Sequence, residues 1–228
     1  MAKEKTQAEI RQENIEATVS KTEQFYEKYK KLIWGALVAV LVIAAAILAY
    51  GKLVYQPKCE EAQGQTYPAE NAFTSGDFET ALKGDGNFLG FEEIIDTYGN
   101  KAGNAVYMYA GVCALQLGDY QAALDYLKKY NGKEEILAAR AKACEGDALV
   151  GLGPDNYGKA AQAYMAAAKL SDNQFAAGYY FKAGVTYEEM GDVKKALECY
   201  KTIREAYPNS VEAFDINKYI SRIEIKEK

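Results

Sequence analysis

The sequence predicts an all-α chain, in which about four helical hairpins and a closing helix stack into a solenoid behind a single N-terminal transmembrane helix. Two observations predict this fold class. The twenty residues Leu32–Gly51 carry no charge, and as a helix they would cover about 30 Å, the thickness of a bilayer core. After them, apolar residues recur at helical spacing, and Gly76, Gly118, Gly153 and Gly191 divide the pattern into pairs of helices.

Composition narrows the possible functions. The 228 residues include no histidine, and the net charge is −5. Without histidine the chain lacks the usual general base and the commonest metal ligand, and its negative charge disfavours nucleic acid as a partner. We therefore expect no enzyme activity, no metal, no cofactor and no small-molecule substrate.

The four cysteines, Cys59, Cys113, Cys144 and Cys199, are too far apart for a zinc or thioredoxin-like motif, since the two closest are 31 residues apart. The last three lie in helical patterns, where a free cysteine behaves as a small hydrophobic residue. Whether any of them pair as disulfides is left open by the sequence.

The first part of the chain, residues 1–31, is a polar tail with seven Lys or Arg and six Glu. A thin, imperfect apolar stripe at helical spacing consists of Ile10, Ile15, Val19, Tyr26 and Tyr29. The composition is typical of a solvated helix or a partly disordered segment, and a partner-binding helix is the alternative.

The predicted transmembrane helix covers residues 32–55. Trp34 near one end, and Tyr50 and Tyr55 near the other, stand where interfacial aromatic residues anchor a span. A cleaved signal peptide fits less well, because the polar region before the apolar run is thirty-one residues long. Small residues four apart on this helix predict packing against another helix; they are Gly35 with Ala39 and Ala45 with Ala49.

Lysines predict the orientation of the span. Four precede it (Lys21, Lys28, Lys30 and Lys31), and two follow it closely (Lys52 and Lys58). The excess before the span favours a cytoplasmic amino terminus, with the large domain on the other side of the membrane.

Residues 56–228 form the predicted repeat domain, and its first repeat, at about 62–100, is divergent. The turn at Gly76-Asp77-Phe78 is regular, but the second helix is interrupted at 83–90 before it resumes at Phe91. The glycines of this insertion resemble a phosphate-binding loop only superficially, because the lysine of a P-loop is missing and no strand precedes it. We expect a flexible insertion between two helices.

Three further repeats, at about 104–137, 139–173 and 177–209, follow the first. The turn glycines are spaced 42, 35 and 38 residues apart. Ser210 is a candidate cap for a closing helix at 211–226, which would include Val211, Phe214 and Ile223. Charged residues are frequent towards its end: Arg222, Glu224 and Lys226, followed by Glu227 and Lys228. A closing helix with one polar face suits the exposed end of a solenoid.

The fourth repeat carries a family pattern. A large aromatic, a small–glycine pair, a second aromatic, a turn glycine and, later, an alanine, an aromatic and a proline follow at fixed spacing: Tyr180, Ala183-Gly184, Tyr187, Gly191, Ala196, Tyr200 and Pro208. This pattern resembles the tetratricopeptide repeat, whose period is about 34 residues. The resemblance implies a superhelix that binds proteins along an inner groove lined by the first helix of each repeat.

The resemblance also implies which residues line that groove: Met108, Val112, Leu115 and Gln116 in the second repeat; Arg140, Ala143, Asp147 and Val150 in the third; Phe181, Val185, Glu188 and Glu189 in the fourth. The branch of the family that grips chaperone C-terminal carboxylates has lysine and asparagine where Met108 and Val112 stand, so that clamp is not expected. The groove would be apolar with an acidic rim, suited to an amphipathic or extended hydrophobic segment. That Met108 and Val112 belong to the core is an equal alternative.

The whole arrangement resembles one narrower group, the YfgM-like ancillary subunits of the bacterial Sec translocon. The likeness includes Phe25 before the span, Gly90-Phe91, Gly118-Asp119-Tyr120 and Tyr207-Pro208-Asn209-Ser210. It implies a single-pass inner-membrane protein with a periplasmic repeat domain, an adaptor or co-chaperone whose partners are the translocon and a periplasmic folding factor. The alternatives are a structural subunit of another envelope complex held through its span, and a cytosol-facing membrane receptor.

Overall fold

Helices build both units of the chain, residues 1–57 and 58–228. The structure, a computed structural model, describes the backbone of residues 7–171 and 173–226 and the side chains of 25–171 and 173–225. No β-strand lies within these ranges, and a single antiparallel bridge joins Gly84 to Leu89. The predicted all-α fold is confirmed.

The first unit consists of helix α1, Gln7–Tyr50, and a π-helical turn, Gly51–Tyr55. Every side chain from Leu32 to Tyr50 is exposed. By length and composition this apolar helix could cross a membrane. The Trp34 indole N–H donates a hydrogen bond of 3.3 Å to the Tyr26 hydroxyl. Of the predicted apolar stripe, Ile10, Ile15 and Val19 have side chains outside those described, whereas Tyr26 is exposed and Tyr29 is partly buried.

The repeat domain is a succession of helical hairpins. Its helices are α2 (Gln56–Thr74), α3 (Phe78–Lys83), α4 (Phe91–Tyr98), α5 (Ala105–Gln116), α6 (Tyr120–Leu127), α7 (Glu135–Gly151), α8 (Tyr157–Leu170), α9 (Phe175–Glu189), α10 (Val193–Ala206) and α11 (Ile216–Lys226). Short 3₁₀ turns lie at Gly99–Ala102, Pro154–Asn156 and Glu212–Phe214. From α5 to α11, each helix packs against the next. This succession of packed neighbours is the predicted solenoid.

The hairpin turns use the predicted glycine and aspartate. Gly76, Gly118, Gly153 and Gly191 all have φ between 77° and 102°, where a side chain would be strained. Asp77, Asp119 and Asp192 then cap the second helices, each accepting a hydrogen bond of 3.0–3.2 Å from the backbone N–H three residues on. The third hairpin departs from this scheme, because its longer turn winds into the 3₁₀ segment Pro154–Asn156.

Each hairpin from the second to the fourth is closed by a glycine that faces a large side chain. A Cβ atom added at Gly111, Gly146 or Gly184 would lie 2.5–2.6 Å from Leu127, Tyr164 or Tyr200 respectively. The missing side chain lets the two helices of a hairpin approach, and the large residue fills the space between them.

The insertion of the first repeat is a closed loop between α3 and α4. The Asp85 carboxylate accepts hydrogen bonds from the backbone N–H groups of Asn87, at 2.8 Å, and Phe88, at 3.1 Å. These hydrogen bonds, led by the one from Asn87, lower the pKa of Asp85. The backbone donors of the loop therefore bind a carboxylate of the loop itself.

The closing helix and the third repeat begin at other residues than predicted. Ser210 accepts a hydrogen bond from the Ala213 N–H of the 3₁₀ turn at 3.2 Å, and α11 begins only at Ile216. Because Ala213 packs into the core beside α9 and α10, Val211 and Phe214 lie outside α11 and are exposed. Similarly, α7 begins at Glu135, four residues before the predicted 139.

Candidate partner-binding surface

The second-repeat positions predicted to line a groove are mostly buried. Met108 and Val112 are only 7% and 9% exposed. Val112 packs with Leu127 and with Ala141 and Cys144 of α7. The first helix of the third repeat thus covers Val112. Both Val112 and Met108 belong to the core, which was the alternative left open by the sequence.

At the end of the same helix, Leu115 and Gln116 differ in their exposure to solvent. Leu115 is half-buried against the core, whereas Gln116 is exposed. Arg140, in α7, is also exposed. Burial raises the pKa of Tyr179 in α9, and the positive charge of Arg140 partly opposes that rise.

Asp147 of the third repeat joins three helices. Its carboxylate accepts hydrogen bonds from the Tyr164 hydroxyl of α8, at 2.7 Å, and from the Lys182 ammonium of α9, at 2.7 and 2.8 Å. Burial raises the pKa of Tyr164 well above its usual value, and the charge of Asp147 adds to the rise. Ala143 is buried on the same helix, and Val150 is half-buried. Asp147 therefore fastens one repeat to the next.

Three of the four fourth-repeat positions lie against the closing helix or in its cluster, and Glu189 is exposed. The Phe181 ring lies 5.0 Å, centroid to centroid, from Tyr219 of α11, at right angles to it. Val185 packs in the same cluster. The Glu188 carboxylate accepts hydrogen bonds from Arg222 of α11, at 2.6 Å, and from the Tyr200 hydroxyl, at 3.3 Å.

The apolar groove expected from the sequence is therefore largely filled by the chain itself. Val112 packs against the following repeat, Phe181 and Val185 pack in the cluster that includes α11, and the carboxylates Asp147 and Glu188 bind tyrosines and cations. Gln116, Arg140 and Glu189 remain exposed. Partner binding by these three polar residues stays a prediction.

The small residues predicted for helix packing all lie on α1. Gly35, Ala39, Ala45 and Ala49 are exposed, and a Cβ atom at Gly35 would meet no other atom within 4 Å. Helix packing on these residues stays a prediction.

The remaining chemistry of the domain is that of a packed core. Cys113, Cys144 and Cys199 are buried and unpaired, and Cys59 is partly exposed and unpaired. Burial raises the pKa of Cys113 to about 12, and those of Cys144 and Cys199 to about 11, so these thiols stay protonated and unreactive at neutral pH. Within the described ranges, no three His, Cys, Asp or Glu side chains cluster as metal ligands would.

Sequence reasoning missed a second set of tyrosine–carboxylate contacts. Tyr98 donates to Glu61 at 3.0 Å, and Tyr126 donates to Glu92 at 3.2 Å. Burial, followed by the charge of Glu92, raises the pKa of Tyr126 to about 12. The number of tyrosines, 19 in the chain, was the only signal available, and it does not identify their partners.

Comparison with known proteins agrees with this architecture. Residues 179–210 match the tetratricopeptide repeat family. Among solved structures, the crystal structure of MamA protein matches with a TM-score of 0.51 and 22% sequence identity, over 75% of this chain and 92% of that chain. No curated protein matches the sequence. At this identity the structural likeness shows a shared fold, a solenoid of tetratricopeptide type.

Proposed function

We propose that this chain is a membrane-anchored adaptor or co-chaperone, whose repeat domain binds proteins at the extracytoplasmic face of a bacterial inner membrane. The observation that carries the proposal is the stack of tetratricopeptide-type hairpins in a chain that also has an exposed, apolar helix long enough to span a bilayer. A stacked solenoid offers an extended surface to another polypeptide. A span would hold that surface near the bilayer and raise its effective concentration for partners located there.

Membrane anchoring and orientation need one experiment. A carboxy-terminal tag on the full chain should be protected from protease in intact cells and digested in spheroplasts. This result is expected if the lysines before the span stay in the cytoplasm. Digestion that occurs only after the inner membrane is broken would favour the cytosol-facing receptor instead.

Partner binding is tested with a photo-crosslinking amino acid at an exposed predicted position. Arg140 suits this test because it is exposed, whereas Val112 would place the crosslinker inside the core. Gln162, exposed on the second helix of the same repeat, is the matched control. We expect Arg140, and not Gln162, to attach a partner of the secretion machinery, such as the translocon or a periplasmic folding factor. Equal labelling from both positions would argue against a specific surface.

A structural subunit held through its span is the second candidate, and the exposed small residues of α1 favour it. Gly35 and Ala39 lie four residues apart with open space beside Gly35. Replacing residues 32–55 with an unrelated span separates the two functions. Association that survives the exchange is carried by the repeats, and association that is lost is carried by the span.

A further inference from the structure

Asn131 is the one asparagine in the chain that a glycine follows. It lies in the irregular segment between α6 and α7, and its side chain is exposed. Asparagine is a thermolabile residue, because the backbone nitrogen of the next residue can attack its side-chain amide. A helix opposes this attack by holding its backbone N–H groups in hydrogen bonds, and a following glycine hinders it least because glycine has no Cβ atom. Asn131 therefore meets both conditions for the reaction.

Packing, and not backbone conformation, requires the glycine at position 132. The φ angle of Gly132 is not among the positive ones, so the backbone there would accept another residue. A Cβ atom at Gly132 would, however, overlap the Tyr130 hydroxyl. The Tyr130 ring is half-buried and packs against the core, which holds it in place. The residue that least hinders an attack on Asn131 is therefore built into this segment.

Two other asparagines of the described chain, Asn87 and Asn209, are also exposed and outside any helix. After each of them, the backbone N–H that would attack is already hydrogen-bonded, at 3.1 Å to the Asp85 carboxylate and at 3.0 Å to the Tyr207 carbonyl respectively. Such an N–H must be released from its acceptor before it can react. The Gly132 N–H has no acceptor among the described residues. The structure therefore separates this site from the other two.

The side-chain amide of Asn131 is oriented by Asn104, the residue before α5. Nδ2 of Asn104 donates a hydrogen bond to Oδ1 of Asn131, and the Asn131 backbone N–H donates to Oδ1 of Asn104 at 3.2 Å. A donor at that oxygen stabilises the negative charge that develops there during an attack on the carbonyl. Nδ2 of Asn131, the group that would leave, has no acceptor among the described residues. A cavity of about 260 Å³ beside these two asparagines gives water access to them.

We propose that Asn131-Gly132 is a site of intramolecular deamidation in the folded protein, an inference that does not depend on the adaptor function. The Gly132 nitrogen loses its proton to hydroxide and bonds to Cγ of Asn131, and Nδ2 takes a proton from water and leaves as ammonia. Water then opens the resulting succinimide ring at either carbonyl, which gives aspartate or isoaspartate. The net charge of −5 becomes more negative by one. In isoaspartate the backbone between the second and third repeats is longer by one carbon atom.

The test incubates the full chain in lipid nanodiscs at mildly alkaline pH. Peptide mapping by mass spectrometry, with electron-transfer fragmentation to distinguish aspartate from isoaspartate, gives a rate at Asn131, Asn87 and Asn209. The same chain in urea gives the rate of each site without the fold. We expect folding to change the rate at Asn131 by no more than about twofold and to slow the other two sites by about fivefold or more, since each has one hydrogen bond to break.

Two further readouts belong to the same experiment. The rate at Asn131 should rise about tenfold per pH unit, because hydroxide removes the proton of the attacking nitrogen. Asn131→Gln, at an exposed side chain, is the matched control and should abolish the modification at this position, since its longer side chain closes a ring less readily. The proposal is overturned if Asn131 stays unmodified in the folded chain. It is also overturned if folding slows Asn131 as much as Asn87 and Asn209.

Discussion

The junction between the second and third repeats and the junction between the third and fourth use the same places for opposite chemistry. Val112 and Asp147 each follow the glycine of their repeat, and Cys144 and Lys182 each lie two residues before the glycine of the next. At the first junction Val112 packs in an apolar cluster with Cys144. At the second, Asp147 and Lys182 form an ion pair of 2.7 Å.

Adjacent repeats therefore stack at both junctions, although an apolar contact lies at this place in one and an ion pair in the other. The stability of a stacked solenoid is approximately a sum of repeat terms and junction terms. A buried apolar side chain contributes roughly 1.5–3 kcal/mol. An ion pair whose side chains are 46% and 29% exposed contributes at most about 1 kcal/mol. We therefore expect the Asp147–Lys182 contact to stabilise its junction less than the Val112–Cys144 contact does, and to be more sensitive to salt.

The strongest test of this comparison places the polar residue in the apolar junction. Val112→Asp would bury a carboxylate beside Ala141 and Cys144 and should lower the free energy of unfolding by about 3–5 kcal/mol. Adding Cys144→Lys should restore at least about 1 kcal/mol, because it recreates the ion pair of the other junction. Urea unfolding of the full chain in mild detergent measures both. Gln116→Asp, at an exposed site, is the control. A loss for Val112→Asp no larger than that of the control would contradict the burial of Val112.

A smaller loss of stability is expected when a methyl group is added at a glycine that lies between the two helices of a hairpin. The Cβ atom of Gly146→Ala would lie 2.5 Å from the buried Tyr164 ring and should cost about 1–3 kcal/mol. Gly158→Ala, in α8, meets its nearest atom at 3.6 Å and should be neutral or stabilise by up to about 1 kcal/mol, the helix preference of alanine. Thermal unfolding compares the stability of the two variants. A Gly146→Ala protein as stable as wild type would show that α7 and α8 lie further apart than described.

Tyr164→Phe sharpens the comparison further, since the second repeat has Leu127 at this place. At neutral pH the loss of the 2.7 Å hydrogen bond to Asp147 should cost about 1 kcal/mol. Burial raises the pKa of Tyr164, so the unfolded chain ionises this phenol near pH 10 while the folded chain does not. The stability is therefore intact below pH 10 and falls above it, by about 1.4 kcal/mol per pH unit from this group. Above pH 10, the free energy of unfolding of the variant should fall less steeply than that of wild type, by that amount. Parallel curves of stability against pH would refute the raised pKa of Tyr164.

The smallest loss of stability is expected when the ion pair between Asp147 and Lys182 is removed. Lys182→Met keeps most of the aliphatic chain and should cost no more than about 1 kcal/mol at low salt. The difference from wild type should vanish near 1 M salt, where the Debye length is about 3 Å. Lys159→Met, at an exposed lysine of α8, is the matched control. A salt-independent loss would mean that the Lys182 stem, and not its charge, stabilises the junction.

Most of the architecture could be predicted because its signals are local. The helices follow from apolar spacing, and the turns follow from Gly–Asp pairs such as Gly118-Asp119 and Gly191-Asp192, whose φ angles and caps depend on adjacent backbone. The exceptions involve packing at a distance. The chain around Val211 and Phe214 had a helical spacing, but the contact of Ala213 with α9 and α10 made it a 3₁₀ turn.

The candidate groove shows why the binding surface was harder to predict. A family position tells which helix face a residue takes, but not what the next repeat places over it. Phe181 is covered because α11 brings Tyr219 to it, and Asp147 is occupied because α9 brings Lys182 to it. Whether such a side chain is exposed therefore depends on a second segment, which is far away in the sequence.

By itself, the sequence determined that this protein is a series of helical hairpins with a helix apolar enough for a bilayer, because periodicity, turn glycines and lack of charge act over a few residues. Only the tertiary structure decided which of those surfaces stay open. Stacking buries Met108 and Val112 and leaves Phe175, Val211 and Phe214 exposed, since burial depends on the neighbour that each repeat receives.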